Sequence, residues 1–127
     1  MDEPLRAMFE AAALAREQAY APYSRFRVGA ALLTASGSVF AGCNVENAAY
    51  PVGACAEAGA IGAMVAGGQH AIVAILVMGE GPGLVTPCGA CRQRIREFAG
   101  TDAAIYCADP ARVRATFTLG ALLPEAF

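Results

Sequence analysis

Ala71-Ile72-Val73-Ala74-Ile75-Leu76-Val77-Met78 is eight consecutive residues without a polar side chain. An apolar run of strand length reads as a strand buried on both faces, at the centre of a sheet. Its flanks decide what covers it. Upstream, Cys55 to Ala66 reads as a helix closed by Gly67-Gly68, the residue type favoured just past a helix end. Downstream, Gly79 to Pro87 is a Gly/Pro loop, and Cys88 or Gly89 opens another helix that ends near Ala99-Gly100.

The pattern continues outward. Arg27 to Thr34 and Ser38 to Cys43 read as two strands joined at Ala35-Ser36-Gly37, and the Ser-Gly pair is a hairpin signal. Asn44 to Gly53 is a polar, turn-rich loop containing Pro51. Leu5, Met8, Phe9, Ala12 and Ala19 keep helical spacing, which predicts a helix over 4–19 with Pro4 in its first turn. Ala21-Pro22-Tyr23-Ser24 ends it. On the other side, Ala103 to Cys107 and Arg112 to Phe117 read as strands, and Leu119 to Leu123 as a short helix stopped by Pro124. The order α-β-β-α-β-α-β-β-α implies an α/β domain, residues 1–127, with helices packed over one sheet. No repeat, low-complexity tract or interior linker interrupts it.

Composition narrows the class. The formal net charge is -2, with no basic run, which argues against a phosphate-binding surface for nucleic acid. Hydrophobic residues make up 57% of the chain and charged residues 16%, against roughly 45–50% and about 25% in ordinary domains. Either a membrane or copies of the same chain would absorb that excess. The run at Ala71–Met78 falls far short of the roughly 20 residues a spanning helix needs, so a homo-oligomer without membrane contact is expected. Met1-Asp2-Glu3-Pro4 carries no secretory pattern. Five cysteines is an odd number, and three of them have metal-site spacing. A disulfide framework is therefore not expected, and the reading is reduced cytoplasm.

Those three are Cys55, in Cys55-Ala56-Glu57, and the pair in Pro87-Cys88-Gly89-Ala90-Cys91. Each motif falls where a loop becomes a helix, and there free N–H groups and the helix dipole favour thiolates. A C-x-x-C lets two sulfurs grip one metal from a single turn, with Gly89 expected to keep the backbone close to it. Three thiolates leave a fourth tetrahedral position open, the coordination of a catalytic zinc, and Glu57 then stands ready to move protons on a water. Two other readings use the same cysteines: a redox dithiol, and a structural zinc, which calls for a fourth Cys or His. Cys43 and Cys107 lie in strand-like apolar contexts and are expected in the core. His70, in a Gly-Gly-Gln-His turn, is expected at the surface.

Cys-Ala-Glu followed about 30 residues later by Pro-Cys-x-x-Cys is the zinc deaminase signature. The likeness extends beyond the metal motifs. Phe26-Arg27-Val28-Gly29-Ala30-Ala31-Leu32-Leu33, Asn44-Val45-Glu46-Asn47-Ala48, Pro87 to Gln93 and Leu122-Leu123-Pro124-Glu125-Ala126-Phe127 resemble, in order, the homotetrameric type of cytidine deaminase. The resemblance runs from about Ala21 to Phe127.

It implies a three-layer α/β/α sandwich with a mixed five-stranded sheet. It also implies one Zn2+ per subunit on Cys55, Cys88 and Cys91, with Glu57 as the proton carrier in hydrolytic deamination of cytidine and deoxycytidine in pyrimidine salvage. By the same resemblance Asn44 and Glu46 hold the ribose hydroxyls, and Phe26 packs on the base. Backbone near Ala54 and Cys55 contacts the base, Tyr50 shapes an inter-subunit site, and Phe127 reaches toward a neighbouring subunit. A deaminase of a modified or antibiotic nucleoside such as blasticidin S shares the zinc motifs and is the alternative. The chain departs from the pattern at Ala58, where many members of the tetrameric type carry an arginine that offsets the thiolate charge. Arg92, immediately after Cys91, is the expected substitute, with Arg94 next.

Overall fold

The structure, a computed structural model, describes residues 1–127. Five strands form one sheet: β1 (Val28–Thr34), β2 (Val39–Cys43), β3 (Ile72–Gly79), β4 (Ala104–Ala108) and β5 (Val113–Thr118). Four helices accompany them: α1 (Glu3–Glu17), α2 (Ala56–Ala66), α3 (Gly89–Phe98) and α4 (Leu119–Leu122). Every element expected from the sequence is present, with boundaries moved by two residues at most. The added feature is a single 3-10 turn at Tyr50–Val52 inside the polar loop. No helix is long and apolar enough to cross a membrane.

The strand order is β2-β1-β3-β4-β5. β1 runs antiparallel to both β2 and β3, β3 is parallel to β4, and β5 is antiparallel to β4. The sheet is therefore mixed, with the apolar run at its centre. From Ala74 to Gly79 every residue of β3 is buried, as a central strand covered on both faces demands.

One face packs on α1, where Met8 and Ala12 meet Ala31, Leu76 and Met78. The other packs on α2 and α3, where Ala60, Ile61, Met64 and Ile95 meet Leu32, Ile75 and Ile105. Helix, sheet and helices make the three-layer sandwich. The Asp2 side chain caps α1 by accepting from the Leu5 N–H at 2.9 Å, which satisfies a donor the first turn leaves free. Gly68, at φ +83° just beyond α2, ends that helix in the left-handed conformation.

Two glycines let the helices come close. A Cβ on Gly29 of β1 would lie 2.1 Å from the Ala12 carbonyl oxygen of α1. A Cβ on Gly42 of β2 would lie 2.4 Å from the Ala60 nitrogen of α2.

This topology decides where a site forms. β2 and β3 both run antiparallel to β1, so their C-terminal ends and the start of β1 lie along one edge of the sheet. Val28 pairs with Gly79 there, and Gly29 with Cys43. The loops leaving β2 and β3 at that edge lead directly into α2 and α3, so both helix N-termini gather at the same place. Crevices at such strand ends are where open α/β sheets bind ligands.

Candidate active site

Cys55 occupies the N-cap of α2 and Cys88 the N-cap of α3, both in extended backbone. Cys91 follows in the first turn of α3 and is fully buried. The three sulfurs lie within 4.8 Å of one another, and Cys55 Sγ is 3.8 Å from Cys88 Sγ. Zinc–sulfur bonds of about 2.3 Å in a tetrahedron need sulfurs about 3.8 Å apart, so the cluster fits zinc. Its donors, all thiolate, suit that ion as well. Cys43, Cys107 and His70 do not join the cluster. That leaves three ligands and one open position.

The electrostatics of the thiols differ. At Cys55 burial pushes the pKa up, and its contact with Cys88 adds to that. At Cys88 burial also works upward, but the Cys91 N–H and the thiols of Cys55 and Cys91 outweigh it and hold the pKa below normal. At Cys91 burial, then the negative charges of Glu57 and Cys55, drive the pKa well above normal. Cys88 is thus the thiol of the three that gives up its proton most readily, and a metal ion has to displace protons from the thiols that bind it.

Glu57, in the first turn of α2, is only 3% exposed. Burial raises its pKa above the ordinary carboxylate value, against its own backbone N–H and the charge of Arg94. A carboxyl tuned upward by desolvation is suited to taking up and giving back a proton near neutrality.

Glu57, Cys55 and Cys88 line a cavity of about 630 Å³. Phe26, Asn44, Glu46, Tyr50 and Ala54 line it too, together with Tyr23, Ser24, Val77, Val85 and Thr86, which the sequence reading did not single out.

Asn44 and Glu46 are held in place by the loop before β1. Asn44 Oδ1 accepts from the Val28 N–H and its Nδ2 donates to the Phe26 carbonyl, both at 2.9 Å. One amide N–H and one lone pair remain free. Glu46 Oε1 accepts from the N–H groups of Tyr23 and Ser24 at 3.0 and 3.1 Å, and Oε2 accepts from the Ser24 hydroxyl. The Ser24 hydroxyl, then the Ser24 N–H, hold the Glu46 pKa below the usual value. A carboxylate has about four acceptor sites, so one is left. A free donor on Asn44 beside a free acceptor on Glu46 matches paired hydroxyl groups. The tight turn behind this arrangement puts Arg25 at φ +61°, a left-handed conformation uncommon outside glycine. Nothing in the sequence marks it.

Two sequence expectations change, those for Arg92 and Cys43. Arg92 does not touch sulfur. Its Nε donates to the Pro87 carbonyl at 2.7 Å, Nη1 to the Leu122 carbonyl at 2.9 Å and Nη2 to Thr86 Oγ1 at 3.1 Å. Arg94 makes the sulfur contact instead, with Nη1 3.3 Å from Cys91 Sγ. Residues three apart share a helix face and adjacent ones do not, so the neighbour in sequence is the wrong neighbour in space. A Cβ on Gly89 would meet no protein atom within 4 Å. Cys43 is half-buried rather than in the core, because β2 is an edge strand with every residue partly exposed. Cys107 is fully buried and His70 exposed. Phe127 lies outside the cavity with its side chain fully exposed, while Gln93 Oε1 accepts its backbone N–H at 3.2 Å.

A mixed five-stranded sheet with three cysteines gathered at two helix N-termini, beside a buried carboxyl group, defines a zinc hydrolase of the deaminase class. Residues 2–108 match the family described as the cytidine and deoxycytidylate deaminase zinc-binding region. The chain belongs to that family. A cytidine deaminase of Sporosarcina psychrophila is 45% identical over 113 residues, 89% of this chain and 83% of the relative. A crystal structure of cytidine deaminase from Burkholderia pseudomallei superposes with a TM-score of 0.90 at 45% identity, covering 100% of both chains. That of the Mycobacterium tuberculosis cytidine deaminase gives 0.84 at 39%, covering 99% of this chain and 98% of the other.

Proposed function

We propose that the chain is a cytidine deaminase, converting cytidine and deoxycytidine with water to uridine and deoxyuridine plus ammonia, as a step of pyrimidine salvage. The observation that carries this reading is the juxtaposition of buried Glu57 with Cys55 and Cys88 along one cavity that also holds Asn44 and Glu46. The chemistry and the recognition then occupy one space of nucleoside size.

Cys55, Cys88 and Cys91 hold zinc, which when bound supplies the Lewis acidity that makes water nucleophilic near neutral pH. Glu57 accepts a proton from the attacking water and passes it to N3 of the base. It then takes the proton of the hydroxyl now on C4 and delivers it to the amine, so that the C4 carbonyl forms as the C4–N bond breaks and ammonia leaves. Asn44 and Glu46 take the ribose hydroxyls through their free donor and acceptor. Phe26 packs on the base, and backbone at Ala54 and Cys55 borders its polar edge. Val77, Val85 and Val28 give the base an apolar wall that limits water around the reacting carbon.

The unit in solution is a cytoplasmic homotetramer. Its support is the apolar composition, the exposed rings of Tyr23, Phe26 and Tyr50 at the cavity mouth, and Phe127 projecting away from its own chain. Phe127 of one copy and Tyr50 of another complete each site. Nucleic acid is not a substrate, since no basic channel borders the cavity.

The test is ammonia release from the zinc-loaded chain with cytidine, deoxycytidine and blasticidin S in parallel. Turnover of the two ordinary nucleosides is expected. Turnover of blasticidin S alone would replace this reading with the antibiotic-nucleoside one, and no ammonia from any of the three would overturn it.

A further inference from the structure

The chain carries nine cationic side chains, all arginine. Most of those with bonding partners are committed to oxygen. Arg16 bonds Glu80 and the Arg27 carbonyl, and Arg27 bonds the Glu17 carbonyl. Arg96 bonds the Ala99 carbonyl, and Arg114 bonds the carbonyls of Gly81, Pro82 and Gly83. Arg92 spends three nitrogens on oxygen atoms. Arg94 alone donates to a sulfur, at 3.3 Å from Cys91 Sγ.

The sulfur it reaches is the one that needs it most. Cys91 is fully buried, so water cannot solvate its charge, whereas Cys88 is exposed and Cys55 half-buried. Three thiolates on a divalent ion leave one net negative charge, and buried Glu57 adds another. Ala58, next to Glu57, brings no compensating cation. An N–H donor from a cation draws electron density from the sulfur that accepts it. The sulfur then donates less to the metal, and the metal stays a stronger Lewis acid.

We infer that Arg94 is a positioning residue of this site, tuning the metal's acidity through its hydrogen bond to Cys91. The inference rests on the reading of the cluster as a catalytic zinc centre. Arg92, its neighbour two residues earlier, anchors the loop and plays no electronic part.

The test uses the full chain as Arg94→Ala and Arg94→Lys, with Arg96→Ala as a control on the same helix. Each is loaded with zinc for kinetics and with Co2+ for absorption spectroscopy, and circular dichroism checks that each folds. In Arg94→Ala the thiolate-to-cobalt charge-transfer band should move to longer wavelength. Its kcat should fall by roughly tenfold or more, the loss of one hydrogen bond to a charged group. KM and the metal content of one per chain should hold within twofold. Arg94→Lys, which keeps the charge and a donor, should fall between, and Arg96→Ala should change neither readout. An unmoved band in Arg94→Ala, or a kcat within twofold of the parent, overturns the inference. If Arg94→Ala does not fold, the same two criteria apply to Arg94→Lys. A parent chain that holds Co2+ but releases no ammonia from cytidine would overturn the deaminase reading, while the band comparison would still decide Arg94.

Discussion

Gly42 of β2 supports Ala60 of α2 with no room between them: a Cβ on Gly42 would sit 2.4 Å from the Ala60 nitrogen and 2.6 Å from the Ala56 carbonyl oxygen. The helix that carries Cys55 at its cap and Glu57 in its first turn is thus seated on bare strand backbone. Gly62, two residues beyond Ala60 along α2, faces open space, and a Cβ there would meet nothing within 4 Å. The two glycines should respond oppositely to alanine. Gly42→Ala has to push the helix off the sheet and should cost about 1–3 kcal/mol or more, as overpacking does. Gly62→Ala removes a mid-helix glycine and should add about 0.5–1 kcal/mol. Urea unfolding of both variants checks the pair, and equal shifts would contradict the seating of α2 on Gly42.

Ser24 fixes Glu46 from two sides, with its hydroxyl and its N–H. Because the Glu46 pKa is held low in the folded chain, its ionised form contributes stability above the ordinary glutamate pKa of about 4.3. That contribution disappears as the pH falls through the lowered value. Ser24→Ala should bring the Glu46 carboxyl closer to its ordinary titration range, measured by carbon NMR. The melting temperature of the variant should lie below the parent's at pH 7 and approach it in acid. KM for cytidine should rise more than kcat falls, because the change acts on Glu46, at the end of the cavity proposed to take the ribose.

Glu57 sets activity against stability. Its raised pKa means that the neutral carboxyl suits the fold and the carboxylate does not. A raised folded-state pKa contributes stability below the unfolded value and loses it as pH rises through the folded one. Glu57→Gln removes the charge but keeps the shape. The metal-free variant should melt higher than the metal-free parent at neutral pH, with the gap narrowing toward pH 4. Its kcat should fall by roughly 10²–10⁴, the usual worth of a general acid–base group, while zinc remains one per chain by metal analysis. Loss of zinc in this variant would make Glu57 a ligand or a support for one rather than the proton carrier.

The fold was legible because its signals were local. The run at 71–78 could only be a central strand, and glycines closed the helix before it and opened the loop after it. The clustering of Cys55, Cys88 and Cys91 was legible for a similar reason: C-x-x-C and Cys-Ala-Glu bring their own geometry with them. What was not legible depends on direction and on distant partners. Arg92 follows Cys91 in sequence, but about 100° of helix rotation separates their side chains, whereas Arg94 returns to the same face. The bonds from Ser24 to Glu46 span 22 residues and depend on a left-handed Arg25 that no residue type announces. Cys43 looked like core because its strand is apolar, but strand order, not strand composition, puts β2 at the edge.

Arg92 provides the sharpest contrast with its helical neighbour. Its guanidinium joins three segments: the Thr86-Pro87 stretch that leads into Cys88, the end of α4 at Leu122, and α3 itself. Removing it leaves two carbonyls and a hydroxyl without a charged donor in a half-buried setting. Arg92→Ala should cost roughly 2–3 kcal/mol in the metal-free protein, since hydrogen bonds to charged groups are worth about 1.5–3 kcal/mol each and do not add fully. Arg92→Lys should recover only part of this, because an ammonium cannot match a planar fork directed at three acceptors. The cobalt charge-transfer band should stay where it is in both variants once they are folded and loaded. A variant with parental stability and a shifted band would return to Arg92 the electronic role that the geometry gives to Arg94.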